Sequence, residues 1–390
     1  MIIASGFSFQ ATSPNPLMYS IQSEIESSIN NEERIVPTLS LYDTTEPAKI
    51  PVLEYPTGQI KNYKNVVLIV FEGVTSYDFE NEFMKIKGGF FESYKDKSIY
   101  YDNYHTTNLD SYTSLIAMIT GIQVPYQSYA DQEIYDRVND ESNLVAYFNQ
   151  NSFSTSFVST FEYNPFIPSS TLWNNIFMRK DFDINQWVSV GSSKMEMATE
   201  DKAAIVTIVS DVKENDKNFV MHEMAYGHSS EWETTTGVTQ LAYYDEYLRE
   251  LSDKLRANDL LDATLFVIVS DHGDRSKISD AQNYRVPLLV MGQDLDNATN
   301  DIFLSHLDLP KIIYSFLQVG DHPTAVNTIY TVGSSGKWTY GAITKDNKYV
   351  FIDNAKGTIL SESELDASLV YTDFQKYING FDQKYGKIDE

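Results

Sequence analysis

A chain of 390 residues, 42% of them hydrophobic, has room for one large α/β domain or two modest ones, and its lack of cysteine excludes disulfides, thiolate metal sites and cysteine nucleophiles. Against 29 basic residues stand 55 acidic ones, a formal charge of −26, which is the wrong sign for a nucleic-acid or anionic-membrane surface. No apolar run reaches the ~18 residues of a membrane span.

The first residues, MIIASGFSF, lack the basic region and the length of a secretory leader. As written the chain reads as cytoplasmic, unless it starts downstream of an anchor. Residues 1–64 are polar, rich in Ser, Asn, Glu and Pro, and read as an arm wrapping the domain. Within them Leu17, Ile21 and Ile25 give one helix face over residues 16–28. At Asn65 the character changes. Val66 to Phe71 form an unbroken apolar run, the pattern of a strand buried on both faces of a parallel sheet. Further strands are expected at 154–159, 219–224, 263–270 and 286–291, with helices at 144–150, 202–214 and 243–255 between them. Strands alternating with helices predict a mostly parallel sheet covered on both faces, spanning residues 65–332. Residues 333–390 read as a small antiparallel sheet, with strands at 337–344 and 348–353, a turn at Asp346-Asn347, a second turn at 354–357 and a closing helix near 373–377.

Three segments carry chemistry. Glu72 directly follows the first buried strand, where ligands collect beyond the carboxyl ends of α/β sheets. Asp271-His272-Gly273 repeats that placement after the 263–270 strand. It offers a hard oxygen beside an imidazole nitrogen, a pair suited to Zn²⁺, Mn²⁺ or Fe. Asp110-Ser111 opens a helix that Gly121 closes. A hydroxyl there sits in the positive field of a helix N-terminus, which can hold a phosphate or sulfate while the oxygen attacks. A capping serine, a hydrogen-bonded loop carboxylate and a solvent-facing histidine are the plain structural readings of the same residues. Of the six histidines, His228 follows an apolar strand and His306 heads a helical run, so each can serve as ligand, acid or anion partner.

Taken together these segments resemble the alkaline phosphatase superfamily, in particular its sulfatase-like branch with the lipoteichoic acid synthases and the phosphoglycerol and phosphoethanolamine transferases. The resemblance covers residues 65–320 and extends to Arg285-Val286-Pro287-Leu288 and Ser305-His306-Leu307-Asp308. It implies an alkaline-phosphatase-like fold and a metal-dependent phosphoester or phosphodiester hydrolase, or a phosphoglycerol-type transferase. Ser111 would be the nucleophile, Glu72, Ser111, Asp271 and His272 the metal ligands, and His228 a catalytic histidine beside the leaving or transferred group. His306, Glu223 and His105 are the candidates for substrate binding or a second metal. Met224, however, stands where pyrophosphatases carry Asp, which favours one divalent ion: Mn²⁺ or Zn²⁺ ahead of Mg²⁺ or Ca²⁺. The implied substrate is a small-molecule, lipid or glycan phosphoester, and the resembled family acts outside the cytoplasmic membrane. Sulfatases matured to formylglycine carry Pro or Ala two residues after the nucleophile and Arg four after it. Here Thr113 and Leu115 occupy those positions, so a plain hydroxyl nucleophile is expected. The rival readings are a sulfate-ester hydrolase and a non-catalytic binding protein on the same fold.

Overall fold

The computed structural model describes residues 47–125, 137–138, 142–160, 178–181, 187–189, 197–199, 201–228, 233, 237–334, 338–353 and 357–386. The helix expected at 16–28 and most of the turn at 354–357 lie outside them. The apolar run after Lys64 forms strand β1 (Asn65–Phe71), every residue of which is buried. Its side chains alternate between two cores, as the pleat of a strand requires. Val66, Leu68 and Val70 face one layer with the helices α1 (Ser111–Thr120), α2 (Leu144–Gln150) and α5 (Leu309–Phe316), while Val67, Ile69 and Phe71 face α3 (Lys202–Glu214) and α4 (Gln240–Ala257). Each fully buried aliphatic or aromatic side chain contributes ~1.5–3 kcal/mol. A strand with no polar face is therefore stable only between two helical layers.

Among the described residues the central sheet has eight strands. In chain order after β1 they are β2 (Ser98–Tyr101), β3 (Ser154–Ser159), β4 (Met178–Asp181), β5 (Asn218–Glu223), β6 (Thr264–Ser270), β7 (Leu288–Met291) and β8 (Ala298–Asn300). Across the sheet they run β8-β2-β7-β6-β1-β5-β3-β4. β1 pairs in parallel with β5 and with β6, and β3 pairs in parallel with β5 and β4. Only β7 reverses direction, lying antiparallel to both β6 and β2. The mostly parallel sheet with helices on both faces is thus as the alternation of elements predicts.

A separate four-stranded antiparallel meander follows: β9 (Thr328–Ser334), β10 (Trp338–Thr344), β11 (Tyr349–Asp353) and β12 (Thr358–Ser363), closed by α6 (Ala367–Tyr385). Asn347 takes the positive φ (60°) that the turn between β10 and β11 demands. The meander also reaches the loop that leads into α1. Val332 N–H donates to Thr107 O (2.8 Å) and Leu109 N–H to Val332 O (3.1 Å), so β9 fixes the backbone just ahead of Ser111. Gln123 ties the same loop down, donating to Thr107 O (3.1 Å) and Tyr330 O (3.0 Å).

Candidate active site

The register of β1 against β6 places Phe71 opposite Ser270, so both strands end at one level and release Glu72 and Asp271 side by side. Asp271 N–H donates to Phe71 O (3.0 Å), carrying the ladder one rung past the strands. Gly73 then turns away at φ 65°, a conformation glycine adopts without penalty. Asp271 Oδ1 accepts from Gly73 N–H (2.9 Å) and from His272 N–H (2.7 Å). Glu72 is clamped from α4: Tyr244 OH accepts from Glu72 N–H (3.3 Å), and Gln240 Nε2 donates to Glu72 O.

Ser111 enters from the third side. Asp110 is the N-cap of α1, its Oδ1 accepting from Thr113 N–H (2.9 Å), and Gly121 closes the helix in the left-handed conformation. Because Asp110 does the capping, Ser111 is left at the first helical position with its hydroxyl turned to the cluster. Ser111 Oγ donates to Glu72 Oε2 (2.9 Å) and lies 3.3 Å from His272 Nε2.

Glu72, Asp271 and His272 are all buried, with ligand atoms within 4.8 Å of one another. His272 Nε2 lies 3.5 Å from Glu72 Oε1 and 3.4 Å from Asp271 Oδ2. His272 Nδ1 sits 2.6 Å from Gly273 O, an acceptor only, so Nδ1 carries the proton and the Nε2 lone pair faces the carboxylates. Asp271 Oδ2 is buried with no hydrogen-bond donor among the described residues. Burial, and after it the charge of Glu72, pushes the Asp271 carboxyl well above the usual range, and burial holds His272 below its own. Two buried carboxylates, one with an unsatisfied oxygen, beside an imidazole with its lone pair turned inward are a donor set that fits one divalent cation.

A cation of the protein itself also stands here. Arg275 donates from Nη2 to Ser111 Oγ (2.9 Å) and Glu72 Oε1 (3.3 Å), and from Nε to His272 Nε2 (3.1 Å). Sequence reasoning missed it. Its signal was a basic residue three positions after the histidine in a tight Gly-Asp turn.

The other candidates lie around this cluster. His306 is buried beneath it: its Nε2–H donates to Ser270 O (3.0 Å), and Nδ1 lies 3.3 Å from Thr106 Oγ1. His105 is buried edge-on against Phe303, with ring centroids 4.9 Å apart. Glu223 ends β5, the strand on the other side of β1, and is buried. The backbone of His228 closes the short helix Tyr226–His228, and its side chain lies outside the described part of the structure.

Burial pushes His306 down to about 3 and His105 down to about 4. Both are therefore neutral in the folded state well below the unfolded value of ~6.5. The stability they support is complete above ~6.5 and is lost as pH falls below it, by about 2 kcal/mol per histidine at pH 5. Titration of the −26 surface also shifts stability with pH, so a variant isolates the effect. The loss in urea unfolding free energy from pH 7 to pH 5 is expected to be about 2 kcal/mol smaller in His306→Asn than in the wild type. Equal losses in the two proteins would count against it.

A serine hydroxyl at a helix start, facing a Glu/Asp/His cluster across the carboxyl edge of a mostly parallel sheet, defines the class: an alkaline-phosphatase-like α/β protein. The chain belongs to the sulfatase family, whose model matches residues 64–319. No curated protein matches the sequence at a significant level. Among solved structures it is similar to a protein in the alkaline phosphatase superfamily from Vibrio parahaemolyticus, at 14% identity over 97% of this chain and 98% of that one, with a TM-score of 0.65. It is also similar to the lipoteichoic acid synthase LtaP from Listeria monocytogenes (12% identity, 86% and 95% covered, TM-score 0.59) and to a 2-O GAG sulfatase (10% identity, 85% and 93% covered, TM-score 0.54). At such identities these likenesses establish the fold. No described helix is long and apolar enough to cross a membrane.

Proposed function

We propose that this chain is a metal-dependent phosphoester or phosphodiester hydrolase, or a phosphoglycerol-type transferase, acting through Ser111. The observation that carries the reading is Ser111 Oγ itself, which lies 2.9 Å from Glu72 Oε2 and 3.3 Å from His272 Nε2 at the N-terminus of α1. Ser111 Oγ forms a bond to phosphorus as the bond to the leaving alcohol breaks, giving a phosphoserine, and Glu72 Oε2 lies along the line on which the hydroxyl proton departs. The amide groups opening α1 favour the negative charge that gathers on the non-bridging oxygens. His228 is assigned the proton for the leaving alcohol, and water or an acceptor hydroxyl then takes the group. A divalent ion, Mn²⁺ or Zn²⁺, held by Glu72, Asp271, His272 and Ser111, would supply Lewis acidity and lower the pKa of the serine hydroxyl.

The rival sulfate-ester reading requires a matured nucleophile. Leu115 is 1% exposed in the apolar core, so no cation is offered from that turn of α1. Two mass measurements decide between the readings. Acid quench during turnover of a chromogenic phosphodiester is expected to trap a phosphoryl group on the peptide containing Ser111. Intact mass of the resting protein is expected to equal that of the unmodified sequence. A formylglycine mass at Ser111, with sulfatase turnover and no trapped phosphate, would overturn the proposal.

A further inference from the structure

Asp201 stands at the N-cap of α3 and does not cap it: its backbone is already helical, and its side chain accepts no capping bond. Capping is the ordinary use of an aspartate at that position. Here both carboxylate oxygens turn instead to the chain leaving β5. Oδ1 accepts from Ala225 N–H (2.8 Å) and from the Thr160 hydroxyl (2.7 Å), and Oδ2 accepts from Tyr226 N–H (3.0 Å). The side chain is 0% exposed, with His222 Nε2 3.7 Å from Oδ1. A carboxylate is costly to bury, and three donors offset that cost. The residues it grips run straight past the site. Met224 N–H donates to Val70 O (2.8 Å). The chain then packs on Glu72 so closely that a Cβ on Gly227 would fall 2.8 Å from Glu72 O and 2.9 Å from the Tyr244 hydroxyl oxygen. The Tyr226 ring stacks on Tyr243 of α4, with centroids 3.9 Å apart, and the turn ends with His228.

We propose, on the phosphoester reading above, that Asp201 is a positioning residue: it locks the backbone of residues 225–228 against Glu72 and so fixes where His228 stands relative to the leaving alcohol. One carboxylate holds two consecutive N–H groups, which denies the turn the freedom to slide or rotate away from β1. A general acid works only within hydrogen-bond reach of the oxygen it protonates, and a displacement of about 1 Å costs on the order of 10²-fold. In that step the bond from phosphorus to the leaving oxygen breaks and its electron pair stays on that oxygen. The oxygen takes the His228 proton while the bond from Ser111 Oγ to phosphorus forms. Asp201 itself transfers nothing. An asparagine could not replace it, because an amide has a single acceptor oxygen and its NH₂ would face one of the three donors.

The test measures kcat and KM of Mn²⁺-loaded wild type, Asp201→Asn, His228→Ala and the double variant on aryl phosphodiesters graded from p-nitrophenol to unsubstituted phenol. Nitrophenolate leaves without a proton, whereas phenolate needs one. Asp201→Asn is expected to keep its metal by elemental analysis and to lose about 10² in kcat on the phenyl ester but less than about threefold on the nitrophenyl ester. In the His228→Ala background it should add nothing to that difference. A merely structural role would lower all the esters alike. An equal loss across the series, no loss, loss of the metal, or a further change in the His228→Ala background would each overturn the proposal. So would a His228→Ala protein with the wild-type series, since Asp201 acts through that histidine. If Asp201→Asn does not fold, Thr160→Val, which removes one donor to the carboxylate, is expected to shift the series in the same direction by less, and an unchanged series overturns it equally. A wild-type protein that turns over no phosphodiester instead removes the phosphoester reading itself.

Discussion

Ser111→Ala is expected to lower phosphodiester turnover by about 10⁴-fold or more, because it removes the atom proposed to form the covalent intermediate. The fold should be nearly indifferent. Asp110 rather than Ser111 caps α1, through Thr113 N–H at 2.9 Å, so the start of the helix is untouched. The variant gives up the hydroxyl's hydrogen bond to Glu72 Oε2, worth roughly 1 kcal/mol. Compared in chelator, where no bound ion contributes, urea unfolding of the two proteins should thus differ little, while metal-supplemented activity disappears. Ser111→Thr is the sharper member of the pair. It keeps the hydroxyl and adds a methyl at a position that α1 does not bury completely, so partial turnover is expected. A folded, metal-loaded Ser111→Ala protein with turnover near wild type would eliminate Ser111 as nucleophile.

How much of this was readable in the chain depends on where each signal is stored. β1 and β6 were visible because a strand buried on both faces is apolar at every position, and the residue that ends such a run stands at the sheet's carboxyl edge. Glu72, Asp271 and His272 follow from that rule. Ser111 follows from the cap grammar of α1, although the sequence left open whether Asp110 or Ser111 was the cap. The short strands β2 and β8 were not visible: Ser98–Tyr101 and Ala298–Asn300 have four and three residues and little apolar patterning. The 286–291 run was read as one more strand of a mostly parallel sheet. β7 lies antiparallel to β6 there, and strand direction is set by how the chain returns to the sheet rather than by the residues themselves. Contacts made across long sequence distances were hidden too. Gln240 and Tyr244 hold Glu72 from α4, about 170 positions away, and Val332 holds the loop before Ser111 from the C-terminal meander. Arg275 fell between the two cases. It is local to the Asp-His-Gly turn, but its contacts with Ser111, Glu72 and His272 appear only when that turn is folded over α1.

Removing the divalent ion should abolish turnover and soften the protein together, and Asp271→Asn should uncouple those effects. Glu72 and Asp271 are buried carboxylates on adjacent strand ends, and Asp271 Oδ2 has no hydrogen-bond donor among the described residues. Desolvation and mutual repulsion make that pair costly without a cation between them. A bound ion at a thousand times its Kd adds about 4 kcal/mol of stability by mass action. Wild-type protein should therefore show a concentration-dependent rise in Tm with Mn²⁺ or Zn²⁺, reversed by chelation and restored by readdition. Asp271→Asn keeps an oxygen in place to accept from Gly73 N–H and His272 N–H, while removing one of the two repelling charges. Chelated, it should be at least as stable as chelated wild type. With metal present, it should show little of the Tm rise, since losing a direct ligand costs more than the ~10–100-fold in affinity typical of outer partners. A residue that only braces the fold would lower Tm in both conditions. Equal metal-induced shifts in the two proteins, or full wild-type turnover after exhaustive chelation, would remove Asp271 from the ligand set and the divalent ion from the reaction.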